Sequence, residues 1–171
     1  DRRSASVKRI NDVINLRGRQ FREDNGPLAH PVRPDSFVEI NNFYTTTVYE
    51  KGAELIRMLK TLIGDTSYAK AVALYFERHD GDAATIEDWL AVFEDSTGRD
   101  LTQFKIWYEQ AGTPRLTVRD SFENGQYMLH FKQHTPETPG QSKKDPRVIP
   151  IAVGLLDSSG KEVQATTVLE L

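Results

Sequence analysis

Hydrophobic residues recur about every 3.6 positions through the first two-thirds of the chain, which is the spacing of amphipathic helices. The pattern predicts five helices. The segment 24–44, between the first two of them, contains three prolines and is interpreted as an ordered, packed loop. The helices cover residues 4–23, the stretch from the threonines at 45–47 to Gly64, residues 67–79, the stretch from Thr85 to Gly98, and the stretch from Thr102 to Gly112.

From Arg115 onward the hydrophobic period changes to 2, which is typical of strands. Asn124-Gly125 is a favoured hairpin turn between the first two predicted strands. The order of elements predicts an α+β protein in which a helical lobe, residues 1–113, precedes an antiparallel β part, residues 114–171. The strands are predicted at residues 116–118, 127–131, 148–156 and 162–169.

The stretch Asn41–Lys60 joins a polar, aromatic loop to a strongly amphipathic helix. A threonine at 45, 46 or 47 would cap this helix by accepting a hydrogen bond from a free amide of its first turn. Tyr49 then lies within the first turn, at the edge of the apolar stripe, where its phenol would face a cleft. The stripe consists of Val48, Gly52, Leu55, Ile56, Leu59, Leu62 and Ile63, and the first helix has a similar predicted inner face of Val7, Ile10, Val13, Ile14 and Phe21.

Composition narrows the classes of function mainly by exclusion. The chain has 171 residues, 38% of them hydrophobic, and a formal charge of −3, so electrostatics favours neither nucleic acid nor an anionic membrane as a partner. It has no cysteine, which excludes disulfides, thiolate metal sites and a cysteine nucleophile. No apolar run approaches the ~20 residues that span a bilayer. The chain starts at Asp1 and stops inside a predicted strand, so we expect it to be a piece of a longer protein.

The histidines do not form a recognisable metal motif. His130 and His134 are close in sequence, but an extended strand would separate them by roughly 13 Å, too far for one ion. The chain contains no H-E-x-x-H helix motif, no glycine-rich phosphate loop and no G-x-S-x-G nucleophile elbow. We therefore expect no metal site, nucleotide site or serine nucleophile within these residues.

Tyr44, Tyr49 and Asn41 are the remaining candidates for chemistry. A phenol is a neutral hydrogen-bond donor at pH 7 and suits the stabilisation of a developing oxyanion. Tyr44 and Asn41 precede the central helix instead of joining its apolar stripe, and Tyr49 is followed by Glu50 and Lys51 at a polar edge. The alternative interpretation is that both tyrosines are packed aromatic residues.

Three long blocks of sequence stand out, in this order: AHPVRPDSFVEINNFYTTTVYEKGAELIRML (Ala29–Leu59), LYFERHDGDAAT (Leu74–Thr85) and WYEQAGTP (Trp107–Pro114). Together they closely resemble the aminopeptidase N family of zinc-dependent exopeptidases in its bacterial form, and the resemblance covers nearly the whole chain. It implies that the helical part is the C-terminal portion of a thermolysin-like catalytic domain. The strands from about Arg115 would then begin a small antiparallel β-sandwich domain, truncated here.

The resemblance also implies a chemistry. In this family a zinc ion held by two histidines and a glutamate polarises the scissile carbonyl, and a tyrosine in a Val-Tyr-Glu-Lys-Gly segment donates to the tetrahedral oxyanion. By resemblance, Tyr49 is that catalytic tyrosine. Asn41 and Tyr44 would wall the side chain of the substrate's N-terminal residue, and Glu50 would border the leaving side. The zinc ligands, the general base and the G-x-M-E-N loop have no counterpart in this chain, so zinc is expected in the parent enzyme and none in this piece.

The expected function is therefore that of a cytoplasmic zinc metalloaminopeptidase, which hydrolyses N-terminal residues from peptides. This chain would contribute Tyr49 and would be inactive alone. Its expected partners are peptide substrates and the remaining domains of the same polypeptide, with no nucleic acid and no membrane. The alternative is a non-catalytic interaction or scaffold module of helices and a β-sandwich, in which Tyr44 and Tyr49 are packing residues.

Overall fold

The helical part of the chain begins with two long helical segments, and each of them contains a π turn. A computed structural model describes residues 4–171. The first segment consists of α1 (Ala5–Asn15), a first π turn (Leu16–Gln20) and α2 (Phe21–Asp24). After a loop with a short 3₁₀ turn (Ile40–Phe43), the second segment consists of a second π turn (Thr47–Lys51) and α3 (Gly52–Ile63). The helices that follow are α4 (Asp65–His79), α5 (Ile86–Thr97) and α6 (Thr102–Glu109).

The five predicted helical segments are therefore confirmed, and two of their predicted end signals act as expected. Thr85 and Asp88 form a capping box, because the Thr85 side chain accepts from the Asp88 amide and the Asp88 carboxylate accepts from the Thr85 amide. Gly98 ends α5 in the left-handed conformation, with φ +68°. None of the helices in the described part of the chain is both long and apolar enough to cross a membrane.

The β part consists of two antiparallel hairpins, as the alternating pattern predicts. The first pairs β1 (Arg115–Glu123) with β2 (Gln126–His134), and the second pairs β3 (Pro150–Leu156) with β4 (Glu162–Glu170). Asn124 and Gly125 have φ angles of +51° and +78°. Positive φ at both central residues is the geometry of a tight hairpin turn whose twist matches that of its strands, so the predicted Asn-Gly turn is confirmed.

The chain divides into two compact units that do not follow the predicted domain boundary. The first unit consists of Asp1–Leu55 and Ile106–Pro146, and the second consists of Ile56–Lys105 and Arg147–Leu171. The predicted boundary between residues 113 and 114 therefore stays a prediction. The buried apolar residues are Ala29, Val32, Leu55, Trp107, Tyr108 and Ala111 in the first unit, and Leu59, Ala71, Leu90, Val92, Phe93, Leu101 and Phe104 in the second.

The predicted inner face of the first helix is wrong for three of its residues. Val7, Ile10 and Ile14 have exposed fractions of 59–63%, whereas Val13 and Phe21 are partly buried. Periodicity identifies an amphipathic helix but does not say which part of the apolar face another element covers. Here the helix is attached to α3 by a polar contact, a two-pronged ion pair between Arg9 and Glu54.

The buried face of the central helix is rotated from the predicted stripe. The buried positions form a row four residues apart, Thr47, Lys51, Leu55 and Leu59, whereas Ile56 is exposed. Two polar residues therefore occupy the first two positions of an otherwise apolar row. Their side chains have partners inside the first unit, and these partners determine how the start of the helix is held.

Candidate functional site

The start of the central helix is capped by Thr45, the first of the predicted threonines. Its side-chain oxygen Oγ1 accepts from the Val48 amide at 3.2 Å, and its carbonyl accepts from the Tyr49 amide at 3.2 Å. The first bond satisfies an amide that the first turn of a helix otherwise leaves free, and the second is the first main-chain bond of the helix. Tyr49 is thus fixed through its own backbone to the capping residue.

His30 attaches this cap to the preceding loop. Its Nδ1 lies 2.8 Å from the Leu28 carbonyl, and its Nε2 lies 2.8 Å from Thr45 Oγ1. A carbonyl only accepts, so Nδ1 carries a proton, and in the neutral ring Nε2 is then the acceptor. The Thr45 hydroxyl donates to Nε2 while it accepts from the Val48 amide. Loop, cap and first turn are therefore joined in one chain of hydrogen bonds.

The second π turn is also held by α2 and the first π turn. Glu23 Oε1 accepts from the Thr47 amide at 2.7 Å, and Gln20 Nε2 donates to Thr47 Oγ1 at 3.3 Å. Partial burial raises the pKa of the Glu23 carboxyl, but its hydrogen bonds with Thr47 and Thr46 outweigh that effect and hold the pKa below its ordinary value. A carboxylate at the start of a helix also suits the positive end of the helix dipole.

Lys51 and Asp24 form a buried ion pair two residues beyond Tyr49. Their side chains are 7% and 1% exposed, and Lys51 Nζ lies 2.8 Å from Asp24 Oδ2. Lys51 also donates to the Gly112 carbonyl at 3.3 Å, while Asp24 accepts from the Gly112 amide at 2.7 Å and from the Thr113 hydroxyl at 2.9 Å. Burial raises the pKa of the Asp24 carboxyl, but the Lys51 charge and these hydrogen bonds together lower it below its usual range.

The side chain of Tyr49 faces away from this network. Tyr49 and Tyr44 are each 59% exposed, and their rings stack with centroids 6.3 Å apart and an interplanar angle of 25°. Phe43 contacts Tyr44 edge-on at 5.9 Å, and Phe37 contacts Phe43 in the same way at 6.0 Å. These four rings form an aromatic row that ends at Tyr49. The structure thus brings Tyr44 and Tyr49 together.

Asn41 and Glu50 lie near this pair but are less closely tied to it. Asn41 belongs to the 3₁₀ turn, and its carbonyl accepts from the Tyr44 amide at 3.3 Å, so that it shapes the backbone before Tyr44. Its side chain is exposed. Glu50 is partly buried, and its charge is a minor contributor, after the ion pair with Asp12, to the raised pKa of Lys8. The site roles predicted for Asn41, Tyr44, Tyr49 and Glu50 stay predictions.

Side chains that could bind zinc do not form a cluster within residues 4–171. Within them, no group of three or more histidine, cysteine, aspartate or glutamate side chains lies close enough together to hold a metal ion. His30 is occupied by the helix cap, and the His79 ring packs against Tyr75 at 5.4 Å. The residues that the structure describes therefore do not fit the zinc ion that the resemblance implies.

The sequence interpretation missed the polar residues that hold the site, namely Gln20, Glu23, Asp24 and Lys51. A signal for Lys51 was available, because it lies four residues before Leu55 and eight before Leu59, at a position where an apolar side chain is expected. A lysine in such a row indicates a buried partner of opposite charge. Nothing in the local sequence identifies Asp24 as that partner.

Two family models match the chain. The first is described as a peptidase family M1 domain and matches residues 3–108; the second is described as a domain of unknown function with an Ig-like fold and matches residues 112–171. The change of model falls close to the change from helices to strands at Arg115.

Curated relatives and a solved structure agree with these matches. The chain is 52% identical over 162 residues to aminopeptidase N of Escherichia coli. The aligned region covers 94% of this chain and 19% of that protein. It is 57% identical over 123 residues to aminopeptidase N of Caulobacter vibrioides, covering 72% and 14% respectively. A crystal structure of Legionella pneumophila aminopeptidase A in complex with aspartic acid superposes with a TM-score of 0.72 at 35% identity, covering 83% of this chain and 16% of that one. The chain thus spans less than a fifth of the length of these relatives.

Proposed function

Because this chain belongs to peptidase family M1, we propose that it forms part of a zinc metalloaminopeptidase that hydrolyses N-terminal residues from peptides. Relatives named aminopeptidase N at 52% and 57% identity support the peptidase activity. The zinc ligands and the general base come from other parts of the polypeptide, since the relatives are more than five times as long as the matched segment. The resemblance to bacterial aminopeptidase N also favours a cytoplasmic location.

Tyr49 contributes the hydrogen-bond donor that stabilises the oxyanion of the tetrahedral intermediate. One observation supports this role: Tyr49 is 59% exposed although its backbone lies in a turn that is fixed from several sides. An oxyanion donor has to be accessible to substrate and preorganised before the reaction, because reorganisation during the reaction would cost part of its effect.

Tyr44, Asn41 and Glu50 have binding roles in this proposal. The exposed face of the stacked Tyr44 ring and the Asn41 amide, both just before the helix, form the wall around the side chain of the substrate's N-terminal residue. Glu50 borders the side from which the rest of the peptide leaves. The strands after residue 113 begin a β-sandwich domain, and the match of an Ig-like family model to residues 112–171 supports that boundary.

The experiment that tests the role of Tyr49 is the Tyr49→Phe substitution in the complete enzyme. Loss of one oxyanion donor typically lowers kcat by roughly 100- to 1000-fold, and we expect KM for an aminoacyl anilide to change far less. Steady-state kinetics with matched protein concentrations measures both constants. Because the variant keeps the ring and its stacking on Tyr44, a kcat close to that of the unmodified enzyme would remove Tyr49 from the mechanism.

The isolated chain serves as the control for the contribution of the rest of the polypeptide. On this proposal it hydrolyses no aminoacyl anilide and takes up no stoichiometric zinc in a calorimetric titration. Turnover or one-to-one zinc binding by residues 1–171 would contradict the assignment of the zinc ligands to other segments.

A further inference from the structure

We propose that the buried Asp24–Lys51 ion pair positions Tyr49 for catalysis, by fixing the second π turn to the backbone at Gly112–Thr113. Lys51 and Asp24 are positioning residues in this inference, since they act through Tyr49 and do not touch the reacting atoms. The inference rests on the proposed function, because it requires that the Tyr49 phenol acts in the reaction.

A short stretch of backbone connects the ion pair to the phenol. Tyr49 and Lys51 belong to one π turn, Thr47–Lys51, and only Glu50 separates them along the chain. π turns inside α-helices are uncommon and often occur at functional sites. The turn directs the Lys51 side chain into the interior and leaves the Tyr49 side chain exposed. A displacement of Lys51 would therefore be passed directly to Tyr49.

The ion pair is fixed by hydrogen bonds from several segments of the chain. Four hydrogen bonds converge on two side chains, and they come from the end of α2, the second π turn and the segment at Gly112–Thr113. Hydrogen bonds are directional, so this network fixes the position of the Lys51 side chain. A contact between apolar side chains would fix it much less strictly. Buried ion pairs are often replaceable by apolar residues without loss of stability, so stability alone does not explain this pair.

The backbone at Gly112 is itself held by neighbouring residues. Gly112 has φ +92°, and a Cβ atom there would come within 3.0 Å of Thr135 Cγ2, so a side chain is excluded at this position. The preceding residue, Ala111, donates through its amide to Gln141 at 2.8 Å and accepts at its carbonyl from Lys144 at 3.0 Å. The backbone that receives the Asp24–Lys51 pair is thus held on its other side as well.

The chain also offers a matched control. Arg9 and Glu54 form a second ion pair between the same two helical segments, but this pair is partly exposed and has no bond to residues 112–113. Glu54→Gln removes its charge with little change of shape. If loss of either ion pair lowered kcat by loosening the two segments, Glu54→Gln would lower kcat too. If the effect acts on Tyr49 specifically, Glu54→Gln would leave kcat unchanged.

The test is a double-mutant cycle in the complete enzyme, with Lys51→Met introduced into the unmodified enzyme and into Tyr49→Phe. In the unmodified enzyme we expect Lys51→Met to lower kcat by about 10- to 100-fold, the cost of a small displacement of a catalytic group, with KM changed by no more than about twofold. In the Tyr49→Phe enzyme, the same substitution should change kcat by less than about twofold, because the donor it positions is already absent. Glu54→Gln should behave like the unmodified enzyme.

A second pair of variants serves if Lys51→Met does not fold. Thr113→Val removes one donor to Asp24 while it conserves the shape of the side chain, and Thr113→Ser keeps the hydroxyl. We expect Thr113→Val to lower kcat by a few-fold and Thr113→Ser to restore it.

The outcomes separate the two proposals. If Tyr49→Phe has a low kcat but Lys51→Met has an unchanged kcat, or lowers kcat by the same factor in both backgrounds, the positioning role is refuted and the role of Tyr49 stands. If Tyr49→Phe is fully active, the proposed function fails, and the positioning inference fails with it.

Discussion

The interiors of the two compact units differ in chemistry. Around the candidate site the first unit buries Gln20, Asp24, Thr47 and Lys51, which are joined by hydrogen bonds and an ion pair. The second unit instead packs Tyr75, Trp89, Phe93 and Tyr68 in a row of ring contacts with centroids 4.6–5.6 Å apart. Directional bonds fix a geometry but depend strictly on each partner, whereas apolar packing supplies stability and tolerates exchanges of similar volume.

This difference indicates which part of the molecule requires an exact side-chain position. The polar interior lies directly beneath the turn that carries Tyr49, where the proposed chemistry requires one position of one phenol. The aromatic interior lies among α4 and α5, which carry none of the candidate site residues. The two units should therefore respond differently to substitution, to pH and to the loss of a helix cap.

The largest expected effect is on stability and comes from the aromatic interior. Phe93 is fully buried between Trp89 and Tyr68. Phe93→Ala removes this packing and leaves a cavity, which we expect to lower the free energy of unfolding by about 3–5 kcal/mol. Urea unfolding followed by tryptophan fluorescence measures the change. Phe93→Leu conserves more volume and should lose much less; equal losses for the two variants would show that packing is not what Phe93 supplies.

The next prediction concerns acid, which should act on the polar interior through the Asp24 carboxyl. The pKa of Asp24 is lower in the folded state than in the unfolded chain, so its ion pair contributes stability above the unfolded pKa, which is about 3.9. That contribution is lost as the pH falls through the lowered folded-state pKa. In Asp24→Asn this part of the pH dependence should be absent, whereas Phe93→Ala should keep it. Unfolding free energies measured from pH 6 down to acid provide the check, and an unaltered acid slope in Asp24→Asn would refute the assignment.

The smallest predicted effect compares a helix cap from each unit. Thr85→Ala removes the oxygen that accepts from Asp88, at an exposed helix start in the second unit, and should cost about 1 kcal/mol in unfolding free energy. Thr45→Ala removes the bond to Val48 and also the bond to His30 Nε2, so we expect a larger loss and, in the complete enzyme, a lower kcat. A Thr45→Ala variant that matched Thr85→Ala in stability and had normal kcat would show that the first cap has no special link to the site.

Local signals in the sequence were sufficient for most of the secondary structure. The Asn124-Gly125 turn, the capping box at Thr85 and the end of α5 at Gly98 each depend on residues within a few positions of one another. Their conformations are decided by steric limits on φ and by short-range hydrogen bonds. For the same reason, a threonine cap next to Tyr49 could be predicted, although three adjacent threonines left open that Thr45 would be the one.

The sequence was a poorer guide to which face of each helix is buried. Val7, Ile10 and Ile14 have the spacing of a buried face but are exposed, and Lys51 has the position of a core residue but is charged and buried. The burial of a face depends on which distant segment packs against it. Periodicity alone carries no information about that segment.

The sequence by itself determined the helices, the hairpins, the family resemblance and the tyrosine to consider. The tertiary structure decided that Asp24, Lys51 and Gly112, which come from three separate parts of the chain, would meet beneath Tyr49. The physical reason is one of range. Turns and caps are satisfied by neighbours along the chain, whereas a buried charge has to be satisfied by whatever the fold brings to it.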